Sequence, residues 1–142
     1  FSPEVPEAQR CRSVLAAYVS RIRKLRTLRN ELCGTNLFRD AAWDMLLEMF
    51  IAHERGEELA ITSLGYSTGV PPSTATRTVA RLEESGLATR VGHEEDTRRY
   101  IVKPTAKAIE TVERLALALL EESEAVLELT QAAGVCCPNF DR

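Results

Sequence analysis

Apolar residues recur at helical spacing along most of the chain and switch to a shorter period in one stretch. Between residues 8 and 33, Leu15, Tyr18, Ile22, Leu25, Leu28 and Leu32 fall three and four apart, one stripe of a helix. At 1.5 Å per residue that helix spans roughly 39 Å, long enough to need a surface beyond its own small domain. Gly34 suits the left-handed position that closes it. Asp40 can cap a second helix, in which Trp43, Leu46, Leu47, Phe50 and Ile51 repeat as a core-facing stripe. Residues 53–56 close it. Thr62 is the expected cap of a short third helix that turns Leu64 and Tyr66 inward. Pro71 and Pro72, lacking amide donors, belong at the start of a fourth. That helix runs over 73–85, with Ala75, Val79 and Leu82 on one side, and stops at Gly86.

The period then changes. Residues 87–91 and 99–102 are β-capable, and the polar segment 92–97 between them predicts a hairpin. Pro104 and Thr105 open a last long helix with a stripe through Ile109, Val112, Leu115, Ala116, Leu119, Leu120, Val126 and Leu127. The expected fold is mainly α with a small β-hairpin (α+β). A lone hairpin is marginal in water, so it must pack on the helices.

Composition narrows the function. A chain of 142 residues, 44% hydrophobic and 27% charged, is one domain with a real core and a soluble surface. No run approaches the ~20 apolar residues of a membrane helix, and no signal-peptide pattern opens the stretch that begins at Phe1. The four cysteines, Cys11, Cys33, Cys136 and Cys137, are too sparse for a disulfide scaffold and match no metal-ligand spacing. Cys11 and Cys33 would stand ~33 Å apart on one helix, beyond any bridge. A reduced, cytoplasmic protein is expected. His53 and His93 are isolated, so neither a catalytic constellation, a metal site nor a cofactor is expected.

The net charge of −3 disguises a division along the chain. Residues 1–39 carry 8 basic and 3 acidic groups, and 40–69 carry 1 and 6. Residues 70–105 carry 6 and 5, and 106–142 carry 3 and 7. A surface meets phosphates within a Debye length of ~8–10 Å, so overall acidity does not exclude DNA.

The informative stretch is 64–87. A helix-turn-helix needs a short first helix, a tight turn, and a second helix whose first turn is small and polar enough to enter a major groove. Ser73, Thr74, Thr76, Arg77 and Thr78 meet that need, and Arg81 lies one turn beyond Arg77. The hairpin follows at once, so the pattern is a winged helix-turn-helix. Its expected turn holds Asp96, Thr97, Arg98 and Arg99. Asp96 can pair with Arg98 and aim its guanidinium at a minor groove. Taken singly, the hydroxyls are better read as caps, and Arg98 could be a solvated turn residue; their combination favours DNA contact.

Here the chain resembles the MarR family of bacterial transcriptional regulators, over nearly its whole length. Residues Thr74 to Leu87 are similar to the family's recognition helix and exit, T-x-x-V-x-x-L-x-x-x-G-L. Asp96, Arg98 and Thr105 match the wing pattern D-x-R-x(5)-L-T-x-x-G, whereas Pro104 stands for its Leu and Ala108 for its Gly. The resemblance implies a single domain over 1–142, with residues 8–38 and 106–133 as dimerisation helices around a DNA-binding region at 40–105. It implies a homodimer, most often a repressor, whose recognition helices meet a pseudo-palindromic site about 34 Å apart. It also implies a possible small aromatic effector, for which Tyr18, Phe38, Trp43 and Phe50 are the candidate pocket, although each is more often a core residue. The basic run 21–26 would pair with the acidic last helix across the dimer or touch DNA backbone. Cys11, flanked by Arg10 and Arg12, is the candidate redox thiol against the plainer reading of an ordinary reduced cysteine. The rival functions are a winged-helix protein-interaction module and a non-specific architectural DNA binder.

Overall fold

The computed structural model describes residues 7–33, 40–93 and 96–134, with residues 7–11, 93 and 96–99 described by backbone alone. Their order is α1 (Glu7–Cys33), α2 (Ala41–Glu54), β1 (Leu59–Ala60), α3 (Ile61–Thr68), α4 (Pro72–Glu84), β2 (Ala88–His93), β3 (Asp96–Pro104) and α5 (Ala106–Ala132). Gly34, Phe38, Cys136 and Cys137 lie outside the described residues, as do the side chains of Cys11, His93, Asp96, Arg98 and Arg99.

The centre is α2. Met45, Leu46, Leu47, Met49, Phe50, Ile51 and Ala52 are all buried, which is a helix enclosed nearly all round rather than a stripe. It touches α1, α3, α4, α5 and β3. Asp40 caps it as expected, its carboxylate accepting from the Trp43 amide at 3.2 Å. Trp43 itself is half-buried at the rim of the core.

Two expectations for the third helix are corrected. Thr62 does not cap it: α3 begins at Ile61, and Ala60 holds the cap position in extended backbone with no side-chain bond. The cause is β1, whose Leu59 and Ala60 pair with Val102 and Ile101 of β3 and lead straight into the helix. Two residues are too short to show alternation, so this strand left no periodic signal. Tyr66 does not face inward either. It is 91% exposed, because it lies two residues from buried Leu64 and so roughly 200° around the helix.

The sheet is antiparallel with order β1-β3-β2. The hairpin strands run longer than their β-capable cores suggested: β3 already begins at Asp96, so the backbone of Arg98 and Arg99 is strand rather than turn. Ala88 pairs with Pro104, Arg90 with Val102 and Gly92 with Tyr100, and the register shifts between Gly92 and His93.

Both terminal helices outrun the core. On α1, Val19 is buried and Leu15, Tyr18 and Ile22 pack partly against the core, but Leu25, Leu28 and Leu32 are 65%, 45% and 78% exposed. On α5 the buried residues are Ala108, Val112 and Ala116, all in its first half. Leu119, Val126, Leu127 and Leu129 beyond them are exposed. No helix among the described residues is long and apolar enough to cross a membrane.

Candidate nucleic-acid interface

Helices α3 and α4 meet at a contact that admits no side chain. A Cβ built on Gly65 would stand 2.9 Å from Cβ of Ala75, closer than real Cβ atoms approach. Both atoms are fixed to backbone, so the helices themselves would have to part. Gly65→Ala is therefore expected to destabilise the fold by about 1–3 kcal/mol in chemical denaturation. Adding Ala75→Gly should recover part of that loss, whereas a neutral Gly65→Ala would mean that the two helices are loosely held.

From that anchor α4 presents two unlike faces. Ala75, Thr78, Val79 and Leu82 are buried. Thr78 was expected among the DNA-contacting residues, but it is only 7% exposed and its hydroxyl donates to the Thr74 carbonyl at 2.8 Å. It belongs to the inner face, one full turn along from Thr74. On the outer face Ser73, Thr76, Arg77 and Arg81 are exposed, and Thr74 is half-exposed at the border. Arg77 and Arg81 stand four residues apart, so they line one side of the helix. Neither is ion-paired among the described residues. The Thr76 hydroxyl donates to the Pro72 carbonyl at 3.0 Å, leaving its oxygen free to accept. Pro72 occupies the first helical position, where its missing amide hydrogen costs nothing.

The far end of α4 is fastened to α5. Gly86 takes φ +72°, the left-handed conformation that ends the helix, and the Leu87 amide reaches back to the Leu82 carbonyl at 2.8 Å. Thr105 then makes three bonds at once. Its hydroxyl donates to the Gly86 carbonyl at 2.6 Å, its amide donates to Leu87 at 3.2 Å, and its oxygen accepts from the Ala108 amide at 3.2 Å. Lys107 Nζ adds a bond to the Ser85 carbonyl at 3.0 Å. The two departures in the wing pattern, Pro104 and Ala108, thus flank a joint that Thr105 closes; Ala108 is fully buried there.

The basic run on α1 finds intrachain partners, an outcome outside both expectations. Arg23 pairs with Glu48 at 2.8 Å and Arg26 with Asp44 at 2.5 Å, each joining α1 to α2. Arg21 and Lys24 remain exposed. The aromatic pocket is also revised. Phe50 fills the core, because the inner face of α2 carries it away from any cleft. Tyr18 reaches instead towards α5, its hydroxyl 3.4 Å from Oγ of Ser123. The cleft among α1, α2 and α3 is lined by polar groups including Arg23, Arg26, Asp44, Glu48 and Thr68, and by none of the expected aromatics.

Known proteins share this arrangement. Residues 41–99 match the model of the MarR family. The S. aureus MepR–DNA complex superposes with a TM-score of 0.52 at 19% identity, covering 81% of this chain and 91% of that one. A protein of Archaeoglobus fulgidus gives 0.52 at 18% identity, over 68% and 97% of the two chains. NadR in complex with 4-hydroxyphenylacetate gives 0.52 at 21%, over 91% and 84%. At such identities the likeness establishes the fold. No curated protein sequence matches the chain. The chain thus has the winged helix-turn-helix fold of these solved structures, and within it residues 41–99 are similar to the MarR family.

Proposed function

We propose that the protein is a sequence-specific double-stranded DNA-binding transcriptional regulator, a repressor acting as a homodimer on a pseudo-palindromic operator. The observation that carries this is the outer face of α4, where Ser73, Thr76, Arg77 and Arg81 are exposed and neither arginine is ion-paired to a described residue. Thr74 contributes at the border, whereas buried Thr78 supports the helix from behind. Arg98 and Arg99, on the strand that rises from the wing, supply minor-groove contacts, with Asp96 orienting Arg98. Further support comes from MepR, which has been solved on DNA. The dimer is supported by the uncovered apolar residues of α1 and α5. Residues 40–105 would then be the DNA-binding unit, and 8–38 with 106–133 the frame that pairs two of them.

An effector has narrower support. NadR is solved with 4-hydroxyphenylacetate and MepR with ethidium bromide. In this chain a small aromatic molecule would have to use Tyr18 and Trp43 without Phe50.

Selection of the purified protein against random duplex DNA tests the proposal. An enriched inverted repeat with half-sites about one helical turn apart is the expected result. Retention without a motif, lost steeply with salt, would make the protein an architectural binder instead. No retention even at low salt would favour a protein-interaction module. On the selected site, Arg77→Ala should cost about 1–3 kcal/mol and relax preference at one base position. Equal binding by mutant and wild type would remove Arg77 from the contact set.

A further inference from the structure

We propose that Arg90 is a positioning residue that holds the wing to the recognition helix, so that contacts made by one are set by the other. This rests on the DNA-binding role proposed above. In the hairpin, alternate residues share a face. Ala88 and Val102 point into the core and are buried, and Arg90 and Tyr100 continue the same face beyond the point where the core runs out. Apolar packing therefore cannot hold the outer half of the wing against α4. Arg90 does so instead. Its Nε pairs with a carboxylate oxygen of Glu83, on the last turn of α4, and its guanidinium lies over the Tyr100 ring at 5.6 Å from the centroid. One cation thus joins α4, β2 and β3.

Three features mark this as more than a casual surface pair. Both charged side chains are about two-thirds shielded from solvent. A carboxylate in the last turn of a helix opposes the helix dipole, so Glu83 is locally unfavourable unless a cation accompanies it. Opposite Tyr100, Gly92 offers no side chain of its own, and the Arg90 guanidinium lies over the ring.

The alternative, that Arg90 is itself a phosphate contact, predicts opposite signs. Affinity for the selected duplex would be measured against salt for wild type, Arg90→Met, Glu83→Gln and the exchanged pair Glu83→Arg with Arg90→Glu. Glu83→Gln removes a negative charge beside DNA, so a purely electrostatic surface would bind more tightly. Positioning predicts that Glu83→Gln and Arg90→Met each bind about tenfold more weakly, the size of a shielded ion pair plus a cation–π contact. Their salt slopes should stay unchanged, and the exchanged pair should recover most of the loss. Tighter binding by Glu83→Gln, or a slope reduced by about one in Arg90→Met, would overturn the proposal. So would unchanged binding in both variants.

Amide hydrogen exchange of the free protein provides a readout independent of DNA. Exchange in the outer half of the hairpin should be about tenfold faster in Arg90→Met, with the α2 core amides unmoved. Faster exchange with no DNA retained by wild type would preserve the strut and sink only the regulatory role. Unchanged exchange would sink the strut whatever the protein binds.

Discussion

Phe50→Ala will lower the free energy of unfolding by about 3–5 kcal/mol, measured as a shift of the urea midpoint at constant slope. Phe50 is 1% exposed at the centre of α2, and α2 touches every other helix. Truncation there removes a ring from the core cluster on the helix that all the others touch. A domain of this size has only about 5–15 kcal/mol to lose. The variant should therefore be partly unfolded near physiological temperature. The same measurement separates core from pocket: a ring lining an open ligand cleft would cost far less when truncated. A loss under about 1 kcal/mol would return Phe50 to the effector pocket.

A charge on the outer face of α5 will have a still larger effect on binding. Leu127→Glu should convert a dimer into a monomer by analytical ultracentrifugation while leaving helical content and the urea midpoint of the monomer intact. Leu127 is exposed in the single chain, so the substitution disturbs no packing within it. It lies with Val126 and Leu129 on the part of α5 beyond buried Ala116, where no other described residue buries them. Desolvating a carboxylate among such residues in a paired interface costs several kcal/mol. Loss of the second recognition helix removes the gain of linked binding, so affinity for an inverted repeat should drop by about 10²–10⁴-fold. A variant that remains dimeric would move the seam elsewhere, and a monomeric wild type that binds one half-site would remove it altogether.

What the sequence made legible followed the length of each signal. Helices of 13 residues or more announced themselves through several turns of apolar repeat, and the cap at Asp40 and the start of the last helix at Thr105 fell where expected. β1, two residues long, offered no period, and its absence from the expected order misplaced the start of α3. Tyr66 was misread because an apolar side chain in an eight-residue helix has too few neighbours to fix its face. On α4 the outer residues were readable singly, yet Thr78 shows that small polar residues serve the inner face equally well when they can bond back to the helix. The Arg23–Glu48 and Arg26–Asp44 pairs lay hidden for another reason. Partners 18 and 25 residues apart on different helices follow no spacing rule. Arg90 left the least trace, since it and its two partners belong to three elements whose meeting depends on strand register.

The fastening of α5 to the end of α4 has a mechanical consequence. Thr105 and Lys107 reach the carbonyls of Ser85, Gly86 and Leu87 through three bonds, so the recognition helix turns when α5 turns. The 27 residues of α5 form a lever arm roughly 40 Å long. Pivoting such an arm by about 5° about its far end moves the joint by about 3.5 Å, close to the 3.4 Å rise of one base step. In a dimer seamed along the outer half of α5, a tilt that small is enough to slip one recognition helix out of phase with its half-site. Operator spacing would then be gauged less by residues that touch bases than by the stiffness of a hinge that touches none.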